Sequence, residues 1–293
     1  MPEKQPDRTG TLRFVEVPVF LRLRSKRPPL KLSPSGIAAF RRCPRLYKFI
    51  YVEKLGDQYR KPRPYFTMAN HVHDTLRDFM TVVPVHERTA ETIEKLLRKN
   101  WKRYRVGFRG KEDELRWAEK ALGQVRSFVA ANDLAVTPFM VEASLESEIT
   151  PGLILRGRID RVDREKDGSL HIIDYKTGNM PELHDWTQLL MYALALSRRS
   201  PYPVGRLSYC YLGAATLQST QCGDEELDKA RWELLTVAGR VLRERQYRPR
   251  PGTWCRDCDF KVICPKGDRS DEPSGSDGQM DLWRDVWDDA KAP

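Results

Sequence analysis

The order of hydrophobic patterns along this chain predicts an α/β fold: a mixed central sheet flanked by helices, with a helical region before it and a cysteine-rich loop after it. Three observations predict it. Apolar residues recur with helical spacing from about residue 33 to 130. Alternating segments near 138–149, 153–163 and 168–177 then read as strands. A helix near 184–198, a strand near 204–213, a further short strand and a long helix near 224–246 complete a β-β-β-α-β order. With 293 residues, 40% of them hydrophobic, the chain can bury a sizeable core.

Each element has a local cause. Ser33 and Pro34 open the first helix as N-cap and first-turn proline, and Ile37, Phe40, Leu46, Phe49 and Ile50 give the segment an apolar side. Phe66, Val72, Leu76, Phe79 and Met80 mark a later helix that carries His71 and His73. Those imidazoles stand about 200° apart on the helical wheel, so one metal would not collect both. Val141 to Glu148 alternates and enters the sheet as a strand, with Glu142, Glu146 and Glu148 as its acids. Gly157–Asp163 and Ile172–Gly178 are joined by the polar segment Glu165–Ser169, which reads as a hairpin turn. Gln188 and Tyr192, at i and i+4, share one face of the following helix. Cys210 lies in the strand Leu207–Leu212 and is expected to be simply packed.

The hairpin carries the chemistry. On a strand of period two, Asp174 and Lys176 project from one face while Ile173 and Tyr175 face a core. The pairing brings Asp160 beside Asp174, and two carboxylates there demand more positive charge than one lysine supplies. A divalent cation meets the demand. Hard oxygen ligands next to a lysine suit Mg²⁺ or Mn²⁺ acting on a phosphate ester. Alternating charge on a surface hairpin is the competing reading of the same residues.

An Asp followed, beyond a turn, by Asp174-Tyr175-Lys176 resembles the PD-(D/E)xK nuclease superfamily, and the wider motif order resembles its RecB-family exonucleases. These are related to the CRISPR adaptation nuclease and the AddB nuclease domain. Ala69-x-x-x-His73-x-x-Leu76 is similar to the family's metal-binding helix, with Ala69 where glycine is usual. That register selects His73 over His71. The resemblance implies a restriction-endonuclease-like core in which His73, Asp160, Asp174 and the Tyr175 backbone carbonyl hold Mg²⁺ or Mn²⁺. Lys176 would position the attacking water, and Gln188 and Tyr192 the DNA, with Glu142 matching the family's first-strand acid.

Cysteine spacing gives a second signal. Cys255-x-x-Cys258-x5-Cys264 puts three thiols in one short loop, a pattern that points to metal ligation. A fourth ligand is needed. Arg41-Arg42-Cys43-Pro44-Arg45-Leu46-Tyr47 resembles the N-terminal element of iron–sulfur RecB-like nucleases, so Cys43, Cys255, Cys258 and Cys264 are implied to hold a structural [4Fe-4S] cluster. Zn²⁺ is the alternative for four thiolates, although structural zinc sites usually pair two short knuckles. Cys210 and Cys222 are left as free thiols.

The resemblance divides the chain into a basic arm (1–32), a nuclease domain (33–267) and an acidic, disordered tail (268–293). Within the domain it implies a helical part (33–135), a nuclease core (136–247) and the cysteine loop (248–267). The tail has eight acidic and three basic side chains, so the rest of this +10 chain is strongly basic. Its Met280, Leu282, Trp283 and Trp287 would suit a short docking motif. Arg41, Arg42, Arg45, Lys48, Arg60, Lys61 and Arg63 interleave with Tyr47, Tyr51, Tyr59 and Tyr65, which suits a phosphate backbone with stacked bases. Single-stranded DNA is the expected partner, with a helicase or other repair protein beside it. No apolar run approaches the roughly 20 residues that span a bilayer, and no P-loop occurs, so a cytoplasmic nuclease without a motor of its own is expected. The rival readings are a non-catalytic iron–sulfur DNA-binding subunit of a helicase–nuclease or adaptation complex, and an RNA or structure-specific endonuclease.

Overall fold

A computed structural model describes residues 28–266; the expected acidic tail and most of the basic arm lie outside the described residues. The strands are β1 (Leu30–Leu32), β2 (Met140–Thr150), β3 (Leu153–Arg164), β4 (Leu170–Lys176), β5 (Val204–Tyr211) and β6 (Thr216–Gln221). They form one mixed sheet, as expected. β3 is antiparallel to β2 along nearly its whole length and to β4 through Arg161–Arg164. β4 and β5 run parallel, and β6 returns antiparallel to β5.

The three-residue β1 lies within the segment expected as the basic arm (1–32). Leu30–Leu32 pairs parallel with Leu153–Leu155, the part of β3 that β4 does not reach. A strand this short carries no periodic signal; it exists because the sheet offers it an open edge.

Helices cover both faces. The expected helical stretch is divided into α1 (Pro34–Arg42), α2 (Pro44–Tyr47), a π-helical turn (Lys48–Val52), α3 (Gly56–Tyr59), α4 (Pro64–Thr81), α5 (Ala90–Trp101) and α6 (Lys111–Ala131). The expected N-cap is present: the Gly36 N–H donates to Ser33 Oγ at 3.1 Å. The break after α1 follows from Pro44, which disfavours helical backbone at the residue before it and leaves Cys43 extended (φ −155°, ψ 111°). α7 (Thr187–Ser197) connects β4 to β5, and α8 (Asp224–Arg243) follows β6.

Two apolar cores result. One joins α1, α2, α7 and α8 to the sheet through residues such as Ile37, Leu46, Val162, Leu189, Leu207 and Leu234. The other joins α4, α5 and α6 to Ile173, Tyr175, Cys210 and Leu212. The predicted alternation in β4 is realised: Ile172 enters the first core, Ile173 and Tyr175 the second. Among the described residues, no helix is long and apolar enough to cross a membrane.

Candidate active site and cysteine cluster

The β3–β4 hairpin builds the centre of the site. Asp160 Oδ2 accepts the Tyr175 backbone N–H at 2.7 Å, which fixes the acid against the neighbouring strand. Lys176 Nζ lies 3.0 Å from Asp174 Oδ2 and donates to Gln188 Oε1 at 2.9 Å. Asp160, Asp174 and Lys176 are all buried. Burying such charges is costly, so each is held by a charged or hydrogen-bonding partner.

α4 and β2 bring two further ligand atoms. His73 Nδ1 is 3.4 Å from Asp160 Oδ1 and 3.7 Å from Glu142 Oε1. His73, Glu142 and Asp160 form a group whose ligand atoms all lie within 4.8 Å of one another. Glu142 has φ +50°, a left-handed conformation rare for a residue within a strand. Strain of this kind persists where the surroundings impose it, and it falls here on a residue of the ligand group. Arg158 forms an ion pair with Glu142.

The expected choice between the two histidines has a structural reason. His71 is fully buried, bonds the Tyr104 carbonyl through Nε2 at 2.8 Å and stacks on the Tyr104 ring at 4.1 Å. It is built into the packing of α4. His73, half a turn away, faces the acids.

α7 supplies the remaining polar contacts. Gln188 Nε2 donates to Asp174 Oδ1 at 3.1 Å and to the Tyr192 hydroxyl at 3.2 Å. Gln188 thus links the lysine, the acid and the tyrosine. Asp174 is engaged by Lys176 and Gln188, and the tightest group of ligand atoms, His73, Glu142 and Asp160, does not include it. Tyr175 presents its N–H to Asp160 and its ring to the second core.

Two contributors escaped the sequence reading. Gly157 lies under Tyr192: a Cβ at this position would come within 2.4 Å of ring atom Cε1. Arg158 counters the charge of Glu142. Arg158 carries a usable signal, because it lies two residues before Asp160 on the same strand. The role of Gly157 depends on how closely α7 packs on β3, and that is tertiary information.

The cysteines converge at the other end of the chain. The Arg250 N–H donates to Cys43 Sγ at 3.4 Å. Burial pushes the Cys258 thiol up to about 12, with the neighbouring Cys255, Cys43 and Cys264 adding to the rise. Burial and the proximity of Cys43 and Cys255 also raise Cys264. Cys258 and Cys264 thus both lie near Cys43 and Cys255, and thiols are soft donors. The loop is anchored by Phe260, fully buried and stacked on Phe49 at 5.2 Å, and by the Arg63–Asp259 ion pair at 2.6 Å. Cys210 is buried in the second core, as expected.

Comparison with known proteins supplies the family. Residues 31–265 match the model of the PD-(D/E)XK nuclease superfamily. No curated protein matches the chain significantly. Among solved structures, SSO0001 is 15% identical, over 81% of this chain and 86% of that one, with a TM-score of 0.38. A protein of Eubacterium rectale provisionally named an exonuclease is 13% identical, over 86% of this chain and 92% of that one, with a TM-score of 0.45.

Proposed function

The chain belongs to the PD-(D/E)XK nuclease superfamily. On that premise we propose that it is a metal-dependent DNA exonuclease of the RecB type, acting on single strands in DNA repair or recombination. The observation that carries this reading is the meeting of His73, Glu142 and Asp160 beside Asp174 and Lys176. The two carboxylates are the hard oxygen donors that Mg²⁺ and Mn²⁺ prefer, and the single imidazole favours the softer Mn²⁺ of the two. His73, Glu142 and Asp160 would hold the ion, with Asp174 and the Tyr175 carbonyl completing its surroundings. Such an ion lowers the pKa of bound water and offsets the charge that develops on phosphorus.

The chain's own groups do the positioning. The Lys176 ammonium, directed by Asp174 and Gln188, orients the attacking water and adds positive charge near the phosphate. Gln188 and Tyr192 steady the strand. Arg158 is half-exposed beside Glu142 and offers the phosphate a cation once a metal takes over the neutralisation of Glu142.

Cys43, Cys255, Cys258 and Cys264 would hold a [4Fe-4S] cluster that ties the α1–α2 break to the loop after α8. The four thiols fit it as donors, and the Arg250 N–H at Cys43 Sγ is the kind of hydrogen bond cluster sulfurs accept. A cytoplasmic setting, where thiols stay reduced, agrees with this reading. A helicase is the natural partner for an enzyme that needs single strands.

The test uses anaerobically purified protein, end-labelled single strands and closed circles with Mn²⁺. Linear strands should be shortened from an end and circles left intact, while Asp174→Ala and Lys176→Ala proteins bind without cutting. Undiminished cutting by either variant refutes the site, and cleavage of circles refutes the exonuclease reading. Four irons per chain, lost in Cys258→Ser, are expected; stoichiometric zinc instead refutes the cluster.

A further inference from the structure

Beside Lys176 lies a row of aromatic rings that the proposed chemistry does not use. Trp186 stacks on Tyr209 with ring centres 5.1 Å apart and planes 15° apart, and His184 stacks on Trp186 at 5.7 Å and 20°. Lys176 Nζ lies 4.9 Å from the centre of the Tyr209 ring. The segment carrying His184 and Trp186 is pinned, because the Tyr209 hydroxyl donates to the Asp185 carbonyl at 2.8 Å and the Thr187 N–H to Asp185 Oδ1 at 2.9 Å. Its neighbour Leu183 is 89% exposed and Met180 44% exposed.

Rings that only fill a core are buried, as Tyr209 is at 3% exposure. His184 and Trp186 are only partly buried, and the apolar side chains next to them face solvent. A flat, sequence-indifferent surface held next to a cation is what an unpaired nucleobase stacks on while its phosphate is neutralised. We propose that residues 180–186 form a nucleobase platform, where the base beside the scissile phosphate stacks on His184, the outer ring of the row, and covers Leu183. The proposal rests on the nucleic-acid reading above and adds a preference for unpaired ends, since a base held in a duplex cannot lie on the rings.

The test is binding of fluorescent single-stranded oligonucleotides, with one abasic nucleotide moved along the strand, to uncleaving Asp174→Asn protein. One abasic position should weaken binding roughly 5- to 150-fold, the range expected for one lost base–aromatic stack. That penalty should persist in Trp186→Phe and vanish in the Leu183→Ser/His184→Ala double variant, whose changes fall on partly exposed or exposed side chains. Equal binding of all abasic strands overturns the platform but leaves the nuclease reading standing. Failure to bind any strand overturns both.

Discussion

Replacing Gly157 by alanine tests how the site is held together. A Cβ at Gly157 would lie 2.4 Å from Tyr192 Cε1, 3.1 Å from Cδ1 and 3.5 Å from Cζ. Carbon atoms pack at about 3.5 Å or more, so the ring must move by about 1 Å. Tyr192 is 6% exposed and lies within the first core, so little free space receives that movement. Overpacking of this kind costs about 1–3 kcal/mol of stability. The displacement also reaches the chemistry, because Tyr192 bonds Gln188 and Gln188 bonds both Asp174 and Lys176. A 1 Å misplacement of positioning groups lowers the rate on the order of 100-fold. Chemical unfolding and single-turnover cleavage of labelled DNA measure the two effects. Gly157→Ala/Tyr192→Leu should recover most of the stability, since leucine withdraws the clashing ring, but not the rate. A Gly157→Ala protein with parental stability and rate would show that Tyr192 is not held by this contact. Failure of the second change to recover stability would refute the steric account.

Two further outcomes follow from strained or buried groups. Glu142→Gly removes a side chain from backbone at φ +50° and should raise stability by about 1 kcal/mol, while Mn²⁺ binding measured by calorimetry weakens at least tenfold. A loss of stability, or unchanged Mn²⁺ affinity, would separate the strain from the ligand role. Burial lowers the His171 imidazole from its ordinary 6.5 to about 4, where Nε2 meets Ser208 Oγ at 2.6 Å and Nδ1 meets Glu165 at 3.2 Å. The native state therefore binds fewer protons than the unfolded chain, so stability falls as pH drops below about 6.5 and levels off below about 4, by up to about 3 kcal/mol. Urea midpoints should show this slope in the parent protein and a shallower one in His171→Gln; parallel profiles would assign the acid sensitivity elsewhere.

Long patterns were the most legible part of the sequence. The hairpin and α7 lie where the sequence put them, although β4 is buried at every position and α7 throughout Met191–Leu196, so the readable signal was residue type and spacing, not a single buried face. β1 was not visible, since Leu30–Leu32 is a strand only by virtue of the β3 edge beside it. Cys43-Pro44 could be read locally, because proline acts on the residue before it. The place of Glu142 in the trio came from the resemblance and not from local pattern. Three acids alternate along β2, and only the left-handed turn at residue 142 and the approach of α4 separate one from the others.

The sequence by itself determined the hairpin, the Asp-x-Lys face, the Gln188–Tyr192 pair and the thiol-rich loop, since strand alternation, helical spacing and residue chemistry act over a few neighbouring positions. Beyond what family resemblance implied, tertiary structure decided how the groups meet. It seats His73 against Asp160 and Glu142 while enclosing His71 among aromatic rings, and it presses Tyr192 onto Gly157. It also brings Cys43 within reach of a loop more than two hundred residues away. The physical reason is that these contacts depend on the sum of many packing distances, which no local periodicity encodes.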